Sequence, residues 1–597
     1  MRGTESGTPS GAADRNGNES ESRAGGRGSD DGLVSVGEAL IALLERAGID
    51  TVFGIPGIHT IELYRALAAS GIRHVTPRHE QGAAFMADGY ARVSGKPGVC
   101  FLITGPGLSN AVTAMAQARS ERVPMLLVSG VNPRDTLGER EEGRLHELPD
   151  QGALAAAVAL RTDTLRDPER LVDVLTESLA ALRGPRPGPV HLEIPIDVMS
   201  APLSLDGIRA FGHRSPRSVS RVAPSSSDIE RAATLCRTAR RVTILAGGGT
   251  VRSAGAVRAL AERLDAPVIS TTNARGIMAA HPLDVPASPS LAAVRELVAR
   301  SDLVLALGTE MGATDYDLYE RGPLPLPEHW IRVDTDPATF AREPFASLAI
   351  RGEAGAFAEA LVAALTDETT PSDPTAASGT DEAGDAGGVF DGSGGGAGGD
   401  GTAGDGAGRA RAVRERALAE LGEEYRALLD TVGAIWRALP GATLVGDSTQ
   451  PIYAGNLYVD APHPGAWFNS ATGYGTLGYA PPAAIGAAIG DPDRSVVCLV
   501  GDGGLQFSLA ELGSARDIDA DVAFVVWNSH GYLEIERAMT TAGVVPLGVT
   551  PSAPDFVAVA KAYGLPARRV RDSAALEDAL ASLPRPCLVE YEITSND

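Results

Sequence analysis

Lysine is almost missing from this chain: of 52 basic residues only Lys96 and Lys561 are lysine, and 76 acids leave a formal charge of −24. A surface of that sign suits neither nucleic acid nor an anionic membrane. Cysteine is just as scarce. Cys100, Cys236, Cys498 and Cys587 lie far apart, mostly in apolar runs, and no pair has metal or redox spacing. Buried thiols in a reducing compartment are expected. No apolar stretch reaches the ~18 residues that would read as a membrane span. The first 32 residues lack the apolar core of a signal peptide. These absences predict a cytoplasmic protein with no nucleic-acid or membrane partner.

Two stretches lack the means to fold. Residues 1–32 are rich in Gly, Ser, Asn and acids, and 366–408 hold 14 glycines and nine acids with only Val389 and Phe390 as sizeable apolar side chains. Neither can bury enough surface to offset its ordering entropy, so a disordered tail and a disordered linker are expected. The remaining 522 residues suffice for three domains.

The pattern within them alternates. In 33–200 a capping box, Ser35-Val36-Gly37-Glu38, opens a helix that Gly48 ends. Strand-like runs follow at Thr51–Gly54, Val99–Thr104, Pro124–Ser129 and Val190–Ile194, with helical segments such as Ala83–Val93 and Ala111–Ser120 between. Residues 225–365 place strands at Val242–Ala246, Val268–Ser270, Leu303–Leu307 and Ile331–Asp334. Residues 409–597 place them at Thr443–Val445, Val496–Val500, Val522–Trp527 and Leu588–Tyr591. This order predicts an α/β chain of three doubly wound parallel-sheet domains. Ligands in such sheets sit beyond the carboxyl ends of the strands.

Two strand ends in the third block carry chemistry. One runs into Gly501-Asp502-Gly503-Gly504, and a later one ends at Trp527-Asn528-Ser529. A carboxylate at one end and amide or hydroxyl oxygens at the other can converge on a hard cation, while glycines let N–H groups approach a diphosphate. Gly-Asp-Gly alone is also a common turn. Far upstream lies Arg78-His79-Glu80-Gln81-Gly82-Ala83-Ala84-Phe85-Met86-Ala87-Asp88-Gly89-Tyr90-Ala91-Arg92, and before it Gly54-Ile55-Pro56-Gly57. An isolated Glu opening a helix ordinarily complements the macrodipole.

Jointly these segments resemble the thiamine-diphosphate enzymes of the acetolactate synthase and 2-oxo acid decarboxylase family, over 33–597 apart from the linker. The resemblance implies a pyrimidine-binding domain, a middle domain and a diphosphate-binding domain, with thiamine diphosphate and Mg²⁺ as cofactors. It also implies a homodimer with shared active sites, or a tetramer built from two such dimers, in which Glu80 of one subunit faces a cofactor held by its neighbour. Glu80 is then the acid–base group at N1′ of the aminopyrimidine. Leu477 props the bent cofactor, and the Gly475 carbonyl receives its amino group. Ser448 and Thr449 match the loop that holds the diphosphate, although both could equally be helix caps. Asp502, the Gly531 carbonyl and Ser529 form the implied metal set, with Gly503 and Gly504 beside the phosphates. Ser529 stands where the family has Asn, so Asn528 is the alternative ligand.

Substrate choice is less defined. The family's FAD loop falls on Gly308–Asp317, which lacks the expected arginines, so no FAD is expected. The segments 57–64, 145–151 and 527–535 look like those of 5-guanidino-2-oxopentanoate decarboxylases. A guanidinium tail needs a carboxylate partner, and Asp150, Asp315, Asp317 and Glu534 are candidates, or else ordinary surface acids. His59 and His146 are candidate substrate residues too. Acetolactate-type carboligation, or a non-catalytic assembly partner, are the rival readings.

Overall fold

The computed structural model describes residues 33–138, 142–204, 222–366 and 404–593. The tail 1–32 and, of the expected linker, residues 367–403 lie outside them. Three six-stranded sheets, all parallel, carry the fold, and a two-stranded antiparallel pair, Leu33–Ser35 with Pro202–Ser204, joins the ends of the first domain. In the first, Thr51–Gly54 (β1), Arg73–Val75 (β2), Gly98–Leu102 (β3), Met125–Val131 (β4), Arg161–Thr164 (β5) and Pro189–Pro195 (β6) run in the order β2-β1-β3-β4-β6-β5. In the second, Val242–Ala246 (β7), Val268–Ser270 (β8), Asp284–Val285 (β9), Leu303–Leu307 (β10), Trp330–Asp334 (β11) and Leu348–Arg351 (β12) run β9-β8-β7-β10-β11-β12. In the third, Thr443–Gly446 (β13), Trp467–Asn469 (β14), Val496–Gly501 (β15), Val522–Asn528 (β16), Ala567–Val570 (β17) and Cys587–Glu592 (β18) run β14-β13-β15-β16-β18-β17. The first and third sheets therefore share one topology, and the middle one has another.

The four strands expected in each block are the four inner strands. The structure adds two at the edges of every sheet. The capping box is present, with Glu38 N–H donating to Ser35 Oγ at 3.2 Å and Ser35 N–H to Glu38 Oε2 at 2.8 Å. One expected boundary needs correction. The helix Gly406–Glu420 starts inside the supposed linker and packs on the middle domain, not on the third. Its Ala410, Val413 and Ala417 join the core of Leu297, Val304 and Trp330, and Glu420 accepts from Ala292 N–H at 2.8 Å.

First and third domains share a single apolar core through the helices Glu80–Ser94 and Ala480–Gly490. Small residues let their backbones touch. A Cβ at Gly89 would stand 1.9 Å from the Ala483 carbonyl oxygen, and one at Gly486 would stand 1.9 Å from that of Met86. Any larger residue would force the two domains apart. A buried polar knot crosses the same seam: Tyr479 donates to Asp88 at 2.5 Å, and Arg92 pairs with Asp88 at 2.7 Å. Asn273 of the middle domain reaches the same junction by donating to Glu121 at 2.6 Å. All four cysteines are free and buried, and no described helix is long and apolar enough to cross a membrane.

Candidate cofactor and catalytic site

In the third sheet Gly501 of β15 lies opposite Trp527 of β16, so Asp502 and Ser529 leave adjacent strand ends side by side. Ser529 Oγ is 3.4 Å from Asp502 Oδ1 and 3.2 Å from the Gly531 carbonyl oxygen, and Ser529 N–H donates to Asp502 Oδ1 at 3.3 Å. Asp502 is 2% exposed, and its Oδ2 is buried without a hydrogen-bond partner. Burial pushes the Asp502 carboxyl up, against the N–H groups of Ser529 and Gly503. Adjacent ligands of an octahedral Mg²⁺ at ~2.1 Å lie about 3 Å apart. Ser529 Oγ with an oxygen on either side at 3.2 and 3.4 Å, beside one orphaned carboxylate oxygen, therefore fits that ion.

Asn528 points elsewhere. Its Nδ2 donates to Glu590 Oε1 at 2.8 Å and its Oδ1 accepts from His530 N–H at 3.1 Å. As a metal or cofactor ligand it is therefore the weaker of the two alternatives, because both ends of its amide are committed. Gly531 takes φ +149, and a Cβ there would meet the Val549 carbonyl at 2.5 Å, so only glycine keeps its carbonyl in place.

The neighbouring loops converge on the same end of the sheet. Thr449 occupies the N-cap of helix Gln450–Leu457 but makes no side-chain capping bond, which leaves its hydroxyl free for a ligand. A Cβ at Gly501 would lie 3.2 Å from that hydroxyl, and one at Gly504 would lie 3.3 Å from Asp447. Fully buried Asp447 ties the loops together by accepting from Ser448 N–H at 2.8 Å and Gly478 N–H at 2.7 Å. Burial raises its carboxyl to about 6, opposed by those N–H groups. Gly475 takes φ +74 with open space at its Cβ position, and Leu477 is half-buried two residues on. Gly503 has Tyr532 across it, with a Cβ position 2.5 Å from the ring.

Glu80 opens the helix Glu80–Ser94 in the first domain, half-buried, and accepts from Asn110 Nδ2 at 2.9 Å. Asn110 was not anticipated, since a lone Asn inside a helix carries no sequence signal. His59 and His146 meet edge to face with ring centroids 5.4 Å apart, and the Nδ1 atoms of both are buried without partners. Burial, then the neighbouring His146, lowers the pKa of His59.

The four candidate acids do not come together. Asp150 caps the helix Gln151–Ala156 through Ala153 N–H at 2.8 Å and lines a polar cavity of about 210 Å³ with Thr104, Gln151 and Glu193. Asp315 is half-buried, and desolvation raises its carboxyl to about 7, with the Arg275 guanidinium acting against that. Asp317 is left-handed at φ +48 and faces Arg321 at 3.7 Å. Glu534 alone adjoins the third-domain loops: it accepts from Gln450 Nε2 at 3.0 Å and faces Arg537 at 3.5 Å. The acidic Gly308–Asp317 stretch turns Glu310 onto Arg122 of the first domain. Sequence reasoning also missed Glu511, whose carboxylate holds backbone N–H groups of Arg78 and His79.

Comparison with known proteins bears on all of this. Three family models match in sequence: the N-terminal thiamine pyrophosphate-binding domain at residues 34–154, the central domain at 229–361 and the C-terminal binding domain at 447–591. The probable 2-ketoarginine decarboxylase AruI of Pseudomonas aeruginosa is 41% identical over 547 residues, covering 91% of each chain. The acetolactate synthase isozyme 1 large subunit of Escherichia coli is 28% identical over 94% of each. An acetolactate synthase of Mycobacterium bovis is 29% identical over 88% of this chain and 82% of its own. With motifs, topology and relatives in agreement, the chain belongs to the thiamine pyrophosphate enzyme family.

Proposed function

We propose that this enzyme decarboxylates a cationic 2-oxo acid non-oxidatively, 5-guanidino-2-oxopentanoate or a close analogue, using thiamine diphosphate held on Mg²⁺. The observation that carries the reading is the 41% identity, over nearly the whole chain, to a 2-ketoarginine decarboxylase. Asp502, Ser529 and the Gly531 carbonyl hold the metal; Ser448, Thr449, Gly503 and Gly504 flank the phosphates; Gly475 and Leu477 seat the pyrimidine. Bound thiamine diphosphate supplies the electron sink that lets the C1–C2 bond of the substrate break. Glu80 holds and moves a proton at its carboxylate, oriented by Asn110. The His59–His146 pair, with both Nδ1 atoms buried and unpartnered, is a further candidate for substrate contact. Of the four acids, Glu534 is the partner we assign to the guanidinium, because Gln450 ties it to the diphosphate loop.

The working unit in this reading is a homodimer, with Glu80 of one protomer serving the cofactor held by the third domain of the other. Support comes from large apolar residues exposed in loops flanking both motifs. Ile58 follows the Gly54–Gly57 loop, Tyr474 precedes Gly475, and Phe507 follows the Asp502–Gln506 turn; Val545 and Leu547 are each 84% exposed. Single exposed apolar residues are ordinary, but several in the loops next to these motifs are surfaces a partner subunit would cover. Mass spectrometry of products tests the chemistry. Incubation with 5-guanidino-2-oxopentanoate should yield CO₂ and 4-guanidinobutanal. Acetolactate from pyruvate, with no aldehyde from the guanidino acid, would overturn the proposal in favour of carboligation.

A further inference from the structure

Glu511 follows Asp502 by nine residues in the third domain, yet its carboxylate serves the first domain. It is 1% exposed. Arg78 N–H lies 3.1 Å from both its oxygens, His79 N–H lies 3.1 Å from Oε1, and Ser514 Oγ donates to Oε2 at 2.6 Å. Six residues further on, Asp517 takes the Arg78 guanidinium at 2.7 Å. The helix Glu511–Asp517 thus grips the chain immediately ahead of Glu80 by backbone and by side chain.

His79 is the N-cap of the Glu80 helix, so the two gripped N–H groups stand outside the helical ladder and need an acceptor from elsewhere. A carboxylate meets that need with two oxygens and gains from the positive end of the helix. An amide would offer one oxygen and turn its NH₂ toward an N–H. The approach is close: a Cβ at Gly82 would fall 2.3 Å from Glu511 Oε1. Glycine at 82 is what admits the carboxylate to the helix start. Burial raises the pKa of Glu511, and the Ser514 hydroxyl and the Arg78 and His79 N–H groups oppose that.

We propose that Glu511 is a positioning residue for Glu80: a third-domain carboxylate that fixes where the chain enters the helix, and so where the Glu80 side chain points. The inference rests on reading Glu80 as the acid–base group. Because Glu511 belongs to the segment that presents Asp502, it links the metal-holding end of the third domain to the acid–base group of the first within one chain.

The test compares Glu511→Gln, Glu80→Gln and the double variant as holoenzymes. Three quantities are read: kcat and KM for the 2-oxo acid, thiamine diphosphate affinity by calorimetry, and amide hydrogen exchange over residues 76–82. Glu511→Gln should speed exchange at residues 78 and 79 and lower kcat at least ~10-fold. KM and cofactor affinity should stay within about twofold, the pattern of an interaction felt in the transition state only. Added to Glu80→Gln, it should cost no further turnover, since both act through one group. Wild-type kcat in Glu511→Gln, or a loss that multiplies in the double variant and tracks weaker cofactor binding, would overturn the inference. Near-wild-type turnover in Glu80→Gln would instead sink the reading beneath it. Should Glu511→Gln fail to fold, Gly82→Ala crowds the same carboxylate from the other side and should reproduce the selective kcat loss; unchanged kcat there overturns the inference equally.

Discussion

The first and third domains are built alike and equipped differently. Both are parallel sheets in which the second strand lies outside the first and the fifth outside the sixth, and both face one shared core. At the carboxyl end of the third sheet sit oxygens: Asp502, Ser529 and the Gly531 carbonyl, with the free hydroxyl of Thr449 nearby. At the corresponding end of the first sit ionisable side chains: Glu80 on Asn110, and the His59–His146 pair. The lesson is that topology here supplies only a rim of strand ends, and the residues placed on it, in the reading proposed above, divide the labour between holding and reacting. The helix pair Glu80–Ser94 and Ala480–Gly490, in contact through Gly89 and Gly486, fixes the two rims of one chain relative to each other.

That division can be broken from the holding side. Asp502→Ala removes the only charged side chain of the oxygen cluster and should abolish Mg²⁺-dependent thiamine diphosphate binding, which calorimetry would register as lost heat of binding. Retained binding would move the metal site elsewhere. Smaller effects sharpen the picture. Ser529→Asn replaces a hydroxyl by a better carbonyl donor and should tighten apparent Mg²⁺ affinity severalfold, with kcat little changed, in titrations of apoenzyme at fixed cofactor. In the same titration Asn528→Ala should leave Mg²⁺ affinity alone, although stripping Oε1 of the buried Glu590 of its donor, with Arg569 still on Oε2, should cost about 1 kcal/mol of stability. The reverse pattern would make Asn528 the ligand.

Legibility in the sequence followed burial for most strands, the buried edge strands Trp467–Asn469 and Asp284–Val285 excepted. Inner strands such as Val496–Gly501 and Val522–Asn528 are buried throughout and read as apolar runs, so they were evident. Edge strands were not. Arg73–Val75, Arg161–Thr164 and Ala567–Val570 are short, half-exposed and rich in charge, and pairing with a neighbour, not composition, makes them strands. The helix Gly406–Glu420 was misassigned at its start because Gly406 and Gly408 continue the composition of the preceding segment. Within the site, Asp502 and Glu80 stand in dense motifs, whereas Glu511 has only the sign of a carboxylate between Leu509 and Leu512 on an apolar face. Asp447, next to Ser448, carries no such signal; its role, joining Ser448 to Gly478, needs coordinates because those two partners are backbone N–H groups.

The most direct test of holding in one domain and reacting in the other is a paired measurement on Glu80→Gln: thiamine diphosphate affinity by calorimetry and kcat on the 2-oxo acid. The substitution keeps the shape of the side chain and its place at the helix start, and removes only its capacity to carry a proton. Cofactor affinity should remain within about threefold of wild type while kcat falls by at least about two decades, the scale of a lost acid–base group. Wild-type turnover, or a loss of cofactor binding as complete as that of Asp502→Ala, would contradict the account.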